Sequence, residues 1–369
     1  MGQKNILVLN SGSSSIKCAL FQFASSPQIW SAPIWEKEVE WQNTKSAASI
    51  EAQIKTLLVN RSIDLIGHRV VHGGKSYVKT TRIDAKLKAH IRSLETLAPL
   101  HNKADLVGID ALARLYPQAP QFAVFDTAFH KTLPEAARVY PGPYQWYEEG
   151  IQRFGFHGIS FQYCSRKAAE MLGVMPQKMV ICHLGSGASL CALQNGVSID
   201  TTMGFTPLEG VMMGTRSGTI DPGILLYLLQ SCTPQQIAET LYHKSGLLGI
   251  SGISSDMRDV LRCAQKADAR AQLAIDMYVH RLSCAIGAMS ASLQGLDSLV
   301  FTGGIGENAE QIRNKVCQKL AFLGISLPQN PQNPGDCILS RSQVQVLLIH
   351  TQEAFEIAKE CWETFHAIH

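Results

Sequence analysis

The chain has 369 residues, of which 46% are hydrophobic and 17% charged, and this length favours two domains over one. Its formal net charge is +3, and the sequence contains no dense run of Lys or Arg. This argues against a nucleic-acid-binding or membrane-surface protein. The ten cysteines form no Cys-x-x-Cys pair, which argues against zinc and a disulfide scaffold and favours reduced thiols in the cytoplasm. The apolar start is too short for a signal peptide, and no later segment approaches the ~20 apolar residues of a membrane span.

The chain opens with a predicted β-hairpin whose tip is rich in hydroxyl groups. A strand from residue 5 leads into the polar turn 10–15, and a second strand follows at 16–23. The turn and Lys17 offer N–H groups, hydroxyls and a cation, which suit a phosphate, although a serine-rich surface turn explains the pattern about equally well. A similar hairpin returns at 180–193 around Gly185-Ser186-Gly187, and this repeat predicts two related α/β halves.

Arg69 lies in a stretch, 65–71, that is predicted to be a buried strand. A buried guanidinium requires an anionic partner, so we expect Arg69 to contact a substrate or phosphoryl group. His68 and His72 are four residues apart and are therefore predicted to lie on one face of this extended segment. No carboxylate or cysteine completes a metal site with them, and a structural role is therefore favoured for both.

The next candidates are Asp126 and His157. Helices are predicted at 83–98 and 103–115, followed by a short strand, 122–125, that ends at Asp126. The carboxyl end of a strand is where α/β sheets usually present functional groups, but a helix N-cap explains this residue nearly as well. His157 lies between aromatic and glycine residues. His157 could stabilise an anionic transition state or could simply be a turn residue. The sequence pattern alone favours the turn residue.

The glycine-rich stretch 200–221 holds Arg216 among Gly, Thr and Ser residues. Arg donates to oxyanions in a planar fork, so this loop is typical of a phosphoryl clamp. Helices are predicted after it at 222–229, 234–242 and 268–293, and again at 353–366, whereas 327–334 is predicted to be a surface loop.

A strand at 298–302 leads into a glycine turn and then a helix from about residue 309 to residue 320. The start of that helix can hold an anion or a nucleotide. Residues 304–309 also fit the pattern G-x-G-x-x-A, which raises an NAD-linked oxidoreductase as an alternative. That alternative is disfavoured, because the acidic residue expected ~20 positions further on is missing.

Taken together, these motifs resemble those of the acetate kinase family, within the acetate and sugar kinase, Hsp70 and actin superfamily. The resemblance covers residues 5–360 and implies an α/β fold of two actin-like (ribonuclease H-like) domains with a nucleotide cleft between them. The domains would comprise 1–129 plus 355–369, and 130–354, with the final helix packed on the first domain. The family also implies a cytoplasmic homodimer formed mainly through the second domain.

The implied reaction is a Mg²⁺-dependent, reversible transfer of a phosphoryl group from ATP to acetate, by direct in-line attack, giving acetyl phosphate and ADP. Mn²⁺ is an expected substitute for Mg²⁺. Propionate on the same scaffold is the alternative acceptor, since one methylene discriminates by only ~1–3 kcal/mol. Val71 favours acetate, because a smaller residue there would enlarge the acceptor pocket.

The resemblance assigns a role to each matching residue. The residues assigned to catalysis are Arg69, Asp126, His157 and Arg216. Those around the acceptor are Arg69, Val71, Leu100, Phe156 and Pro207. Those at the nucleotide are Lys17, His183, Leu184, Gly185, Ser186, Gly187, Asp256, Met257, Arg258, Gly304, Ile305, Gly306, Glu307 and Asn308. Asn10 and Glu353 are assigned to the metal, with Ser13 and Ser15 in the same phosphate region.

Two positions depart from the family's pattern. Ser186 stands where relatives usually have Asn, which shortens one contact to the ATP phosphates. Met257 replaces a commoner Phe beside the adenine. The chain is also expected to be shorter than most relatives, chiefly in its N-terminal half.

Overall fold

A computed structural model of the protein describes residues 3–11, 15–24, 31–40, 47–58, 61–94, 102–328 and 335–368. The chain divides into two compact units. Unit 1 comprises Met1–Lys131, Gly158–Gln162 and Gln352–His369, and unit 2 comprises Thr132–His157 and Tyr163–Thr351.

Unit 1 is built on a six-stranded mixed sheet in the order β3-β2-β1-β4-β6-β5. Strands β1, β4 and β6 are parallel, and the others run antiparallel to their neighbours. The strands are β1 (Lys4–Ser11), β2 (Ser15–Phe23), β3 (Trp35–Glu40), β4 (Leu65–Val70), β5 (Thr81–Arg82) and β6 (Gln121–Phe125), and the helices are α1 (Ala47–Leu57), α2 (Ala85–Ser93), α3 (Asn102–Leu115) and α14 (Glu353–Ile368).

Helices cover both faces of this sheet, which explains why β1 is a continuous apolar run rather than an alternating one. Leu7 and Leu9 pack with α1 and α3 on one face. On the other face, the rings of Phe21 and Phe23 contact those of α14, which lies along β1 and β4. Gly67 allows this close approach, since a Cβ there would lie 2.7 Å from side-chain atoms of α14.

Unit 2 repeats the same sheet, in the order β9-β8-β7-β10-β12-β11. Its strands are β7 (Lys178–Leu184), β8 (Ala188–Gln194), β9 (Val197–Thr201), β10 (Ser298–Thr302), β11 (Cys337–Arg341) and β12 (Gln345–Leu348). Its helices are α4 (Glu135–Arg138), α5 (Tyr144–Glu148), α7 (Pro222–Leu228), α8 (Pro234–His243), α9 (Gly246–Ser251), α10 (Met257–Ala264), α11 (Ala269–Leu293), α12 (Gly303–Asn308) and α13 (Glu310–Lys319). Helix α6 (Gly158–Leu172) contributes residues to both units, and 3₁₀ turns occur at Ala128–Thr132 and Ala321–Leu323.

The two sheets match strand for strand, in order and in direction. The antiparallel hairpin β1–β2 corresponds to β7–β8, and the parallel set β1, β4, β6 corresponds to β7, β10, β12. The α/β class and the repeat predicted from the two hairpins are therefore confirmed, and a duplicated sheet of this kind is what actin-like domains require.

Most predicted elements are present, with small shifts at their ends. The glycine turn predicted between the strand at 298–302 and the helix from about residue 309 is wrong, because residues 303–308 form the short helix α12. The predicted helix 83–98 is observed as Ala85–Ser93, and residues 95–101 and 329–334 lie outside the described residues. Within the described ranges, every helix is too short or too polar to span a bilayer.

Candidate active site

In unit 1, the predicted residues Arg69 and Asp126 meet at the carboxyl edge of the sheet. Arg69 lies near the end of β4 and Asp126 directly follows β6, and these strands are parallel neighbours. Arg69 donates from Nε to Asp126 Oδ2 at 2.9 Å, and its Nη2 donates to the same oxygen. The anionic partner that a buried arginine requires is thus a carboxylate of the protein itself.

Asn10 and Glu353 extend this cluster, although they are 343 residues apart in the chain. The Asn10 side chain accepts from Arg69 Nη1 at 3.4 Å and donates from Nδ2 to Glu353 Oε2 at 3.3 Å. Burial by itself would lower the pKa of Arg69, but the carboxylates of Asp126, Glu353 and Asp105 outweigh it and raise that pKa. Unit 1 therefore holds a fixed positive charge with acidic groups around it.

Asp105 belongs to this cluster, and sequence reasoning missed it. It lies in the first turn of α3, is 1% exposed, and accepts from the backbone N–H of Val71 at 3.4 Å. Burial raises its pKa well above the ordinary value, while the charge of Arg69 acts in the opposite direction. No local pattern marks this residue, because its partner lies 34 positions away.

The oxygen atoms of this cluster suit a hard divalent cation. Glu353 offers a carboxylate and Asn10 an amide oxygen, which are ligand types of Mg²⁺. The described part of the chain contains no group of three or more His, Cys, Asp or Glu arranged to hold a metal. A set of one or two protein ligands, completed by water and substrate phosphates, is nevertheless the usual arrangement for Mg²⁺.

His68 and His72 have the structural roles that the sequence favours. His68 Nε2 lies 2.6 Å from Gln121 Oε1, and His72 Nδ1 accepts from the Gly74 N–H at 2.9 Å. Burial lowers the pKa of each to about 4, so both imidazoles are neutral near pH 7.

In unit 2, three predicted side chains gather at the turn between β7 and β8. A Cβ added to Gly187 would lie 3.4 Å from Arg216 Nη1 and 3.6 Å from His157 Nε2. A Cβ added to Gly185 would lie 3.8 Å from His183 Nε2. One arginine and two histidine side chains therefore lie beside this turn of small residues.

The imidazole of His157 is held in a defined orientation. His157 precedes α6 with a φ of 58°, so the expectation of a turn residue is correct for its backbone. Its ring stacks on that of His183, with centroids 4.3 Å apart, and its Nδ1 lies 2.8 Å from Ser189 Oγ. With Nδ1 engaged by Ser189, the ring presents Nε2 towards Gly187.

The loop that carries Arg216 is tied to the same turn. Gly214 N–H donates to Ser186 O at 3.1 Å, and Arg216 Nη1 donates to Pro207 O at 3.2 Å. Arg216 itself is half-buried. These bonds hold the guanidinium beside the hairpin.

A second arginine, Arg153, supports this loop and was missed by sequence reasoning. It donates to Glu209 Oε1 at 2.8 Å and to three consecutive carbonyls of residues 201–203 at 3.1–3.2 Å. Tyr140 donates its hydroxyl to the same Glu209, and its oxygen accepts from Phe205 N–H at 2.8 Å. Each of these hydrogen bonds joins residues that are 48 or more positions apart in the chain, so no local motif reveals them.

The segment 304–308 reaches the end of β7 through Gly303. Gly303 has a φ of 76°, and a Cβ there would lie 2.9 Å from Leu184 O, so only glycine fits. The carboxylate of Glu307 turns back to accept from Gly303 N–H at 2.9 Å and from Thr351 N–H at 3.3 Å. Asn308 donates to Gly304 O at 2.8 Å. A Cβ added to Gly304 would meet no atom of another described segment within 4 Å. The G-x-G-x-x-A match therefore lies in a capped helical turn with open space at Gly304.

The remaining predicted residues have the following places. Asp256 is the N-cap of α10, where its side chain accepts from Arg258 N–H at 2.8 Å and forms an ion pair with the Arg258 guanidinium. Met257 is buried, at 2% exposed. Lys17 is opposite Asn10 on the first hairpin, with Nζ 3.7 Å from Glu38. Of the acceptor residues, Val71, Phe156 and Pro207 are buried, whereas Leu100 and Ser13 lie outside the described residues.

Comparisons with known proteins agree with these motifs. The profile of the Acetokinase family matches residues 36–359. The acetate kinase of Nostoc punctiforme is 47% identical over 400 aligned positions, which cover 97% of this chain and 98% of that protein. The aligned length exceeds the 369 residues of this chain, which confirms that such a relative has insertions that this chain lacks.

Solved structures give the same result. The crystal structure of Porphyromonas gingivalis acetate kinase has a TM-score of 0.88 at 34% identity and covers 98% of this chain and 100% of its own. A propionate kinase from Francisella tularensis has a TM-score of 0.88 at 38% identity, covering 98% and 99%. The chain therefore belongs to the acetokinase family, and it is a phosphotransferase with a carboxyl group as acceptor.

Proposed function

We propose that the protein transfers the γ-phosphoryl group of ATP, with Mg²⁺, to the carboxylate of acetate, giving acetyl phosphate and ADP in a reversible reaction. A carboxylate oxygen of acetate forms the new bond to the γ-phosphorus. The bond from that phosphorus to the β,γ-bridging oxygen breaks, and its electron pair stays on ADP. Acetate reacts as its anion, so no general base is required, and the attack is in line without a phosphorylated enzyme intermediate.

The observation that carries this proposal is the placement of Arg216 and His157 over the small-residue turn at Gly187, in a chain of the acetokinase family. A loose phosphoryl-transfer transition state needs alignment and charge neutralisation rather than covalent chemistry. Arg216 supplies a fixed guanidinium, and His157 presents Nε2 as a donor to a phosphoryl oxygen. His183 supports the His157 ring by stacking, and the absence of a Cβ at Gly187 lets a phosphate approach the backbone closely.

Arg69 is proposed to neutralise the acceptor carboxylate and the moving phosphoryl group. Asp126 orients its guanidinium from one side, and Asn10 holds Nη1 from another. Glu353 and Asn10 would hold Mg²⁺ together with water and phosphate oxygens, where the cation would neutralise phosphate charge. Lys17, Asp256–Arg258 and Gly304–Asn308 are proposed to contact the nucleotide, and Mn²⁺ is expected to replace Mg²⁺.

The acceptor pocket is proposed to include Val71, Phe156 and Pro207. All three are buried, which suits the methyl group of acetate. Propionate stays a second candidate, because the solved propionate kinase is 38% identical to this chain and one methylene changes the barrier by only ~1–3 kcal/mol.

We also propose a cytoplasmic homodimer with actin-like domains at 1–129 plus 355–369, and 130–354. All ten cysteines are free thiols, which agrees with a reducing compartment. Unit 2 exposes large apolar side chains on α7, where Leu226 is 69% and Tyr227 71% exposed. Such a patch is typical of a protein contact surface.

The direct test is steady-state turnover of the purified protein with acetate, propionate and butyrate as acceptors and ATP, GTP and pyrophosphate as donors. Arg216→Ala should lower kcat by about 10²–10³, as the loss of one oxyanion donor does. Arg262→Ala, which removes a 65% exposed arginine from α10, serves as the matched control and should keep normal turnover. Near-normal turnover of Arg216→Ala would contradict its assignment.

A double-mutant cycle tests whether Arg69 and Arg216 act on one phosphoryl group. The variants are Arg69→Lys, Arg216→Lys and both together. Residues that stabilise the same transition state give losses that do not add, so the double variant should lose less than the product of the two single effects. If the fold-losses in kcat/KM simply multiply, so that the losses in activation free energy add, the two arginines do not share one phosphoryl group.

A further inference from the structure

Unit 2 contains a cavity of about 330 Å³ behind the loop that carries Arg216. Its walls come from the end of β9, from α11 and from the loop residues 210–219. A cavity of this size is at the lower end of the range for small-molecule sites. None of the residues predicted to bind nucleotide or acceptor lines it.

The charged side chains on the cavity wall are those of Arg153, Asp200 and Arg281. Asp200 accepts from Ser292 Oγ at 2.7 Å and from Thr201 N–H at 2.8 Å, and Arg153 is paired with Glu209. Arg281, on α11, is exposed and makes no hydrogen bond or ion pair with any residue in the described ranges. The cavity therefore offers a guanidinium that is available to an anion.

Two hydroxyls on the wall are arranged as donors. Thr202 Oγ1 accepts from Leu190 N–H at 3.0 Å, and Thr219 Oγ1 accepts from Gly210 N–H at 3.1 Å. Because each oxygen already accepts a bond, its own hydrogen is left to donate. Much of the remaining wall is apolar, with Val211 and Met289 buried.

We propose that this cavity binds a small organic anion, with its carboxylate or phosphate on Arg281 and a short apolar body against Val211 and Met289. Ser217 lines the cavity and directly follows Arg216 in the chain. A ligand that fills the cavity therefore contacts the loop next to Arg216. Binding changes turnover through the position of Arg216, and this kinetic part rests on the proposed role of Arg216, whereas the binding itself does not.

The exposed thiol of Cys284 lines the cavity and reports on its occupancy. The full chain is alkylated with iodoacetamide, and the rate at each cysteine is followed by mass spectrometry. Propyl phosphate is the probe, and inorganic sulfate is the matching anion without an alkyl group. At ten times its Kd, propyl phosphate should slow alkylation of Cys284 by about tenfold, since about one site in eleven stays free. The half-exposed Cys232, outside the cavity, should react at an unchanged rate.

Arg281→Gln should remove this protection, and Arg262→Gln, the matched exposed arginine, should retain it. Protection that survives in Arg281→Gln, or that extends equally to Cys232, overturns the proposal. So does a lack of protection by both probes. If Cys284 reacts only after dilution dissociates an oligomer, a second copy of the chain covers the cavity, and this also overturns it.

Kinetics give the second arm of the test. Propyl phosphate should change kcat without competing with ATP or with acetate, and the effect should vanish in Arg281→Gln, whose turnover without the probe should be within about twofold of wild type. Competition with either substrate would place the probe at the active site and would refute the regulatory effect. Because alkylation needs no catalysis, failure of the proposed reaction and failure of this site are distinguishable.

Discussion

Replacing Arg153 tests how much the loop of the candidate site depends on one side chain. The guanidinium makes five hydrogen bonds, to Glu209 and to four backbone carbonyls. Among them are the carbonyls of residues 201–203, which lead into the loop that carries Pro207. Since Pro207 O accepts from Arg216, loosening this loop should also shift Arg216. We therefore predict that Arg153→Met lowers the stability of unit 2 and, as a consequence, kcat.

The magnitude follows from the burial of this ion pair. Removing one partner of a fully buried pair costs ~3–5 kcal/mol, because the other charge is left uncompensated. The side chains of Arg153 and Glu209 are 17% and 30% exposed, so water replaces part of the loss and we expect ~2–4 kcal/mol. For a unit of this size, that corresponds to a fall in Tm of about 5–15 °C.

The assay combines thermal unfolding with hydrogen–deuterium exchange of peptides that cover residues 201–209. Arg262→Met is the matched control, because Arg262 is 65% exposed and pairs with Asp259, and a surface pair contributes ~0–1 kcal/mol. Arg153→Lys keeps the charge without the planar fork and should fall between wild type and Arg153→Met. Equal Tm values for Arg153→Met and Arg262→Met, with unchanged exchange at 201–209, would refute this reasoning.

Three further predictions concern stability and assembly. Gly67→Ala puts a Cβ 2.7 Å from side chains of α14 and should cost about 1–3 kcal/mol in thermal unfolding, whereas Gly287→Ala, in an open helical position, should be neutral or stabilising. The raised pKa of Asp105 means that its contribution to stability is fully present below the unfolded pKa and is lost as pH rises through the folded pKa. Asp105→Asn should therefore raise Tm relative to wild type at pH 7 but not at pH 4, and a gain of the same size at both values, or in Asp110→Asn, would contradict this. Leu226→Asp should convert a dimer to a monomer in light scattering, and an unchanged mass would exclude α7 from the interface.

The sequence predicts the elements of this fold because most carry their own local signal. β1 and β7 are apolar runs that end in turns of small and polar residues, and α11 begins at the capping residue Asp268 and ends before Gly295. Helix α12 has no such signal, since three of its six residues are glycine, which disfavours helix. It forms because Gly303 packs on the backbone of Leu184 and Glu307 caps its start. Tertiary contacts decide this element, and a single sequence does not display them.

The same distinction separates the site residues that sequence reasoning found from those that it missed. Arg69 is noticeable as a charge inside an apolar strand, and Arg216 as a charge inside a glycine-rich loop. Arg153 and Asp105 stand in unremarkable surroundings, and their partners lie 56 and 34 positions away. What identifies them is burial together with a hydrogen-bond partner, and both properties exist only after the chain has folded.

The two sheets have the same strand order but carry different residues at their carboxyl edges. In unit 1 the parallel strands β1, β4 and β6 have Asn10, Arg69 and Asp126 next to their carboxyl ends, so charged and polar side chains line this edge. In unit 2 the equivalent strands β7 and β10 are followed by Gly185 and Gly303, so the same edge carries no side chain at these two positions. In the proposed function, a carboxylate acceptor needs fixed charge, whereas nucleotide phosphates need to approach the backbone closely. On this proposal, the same sheet meets both needs because the residues at its edge differ between the two units.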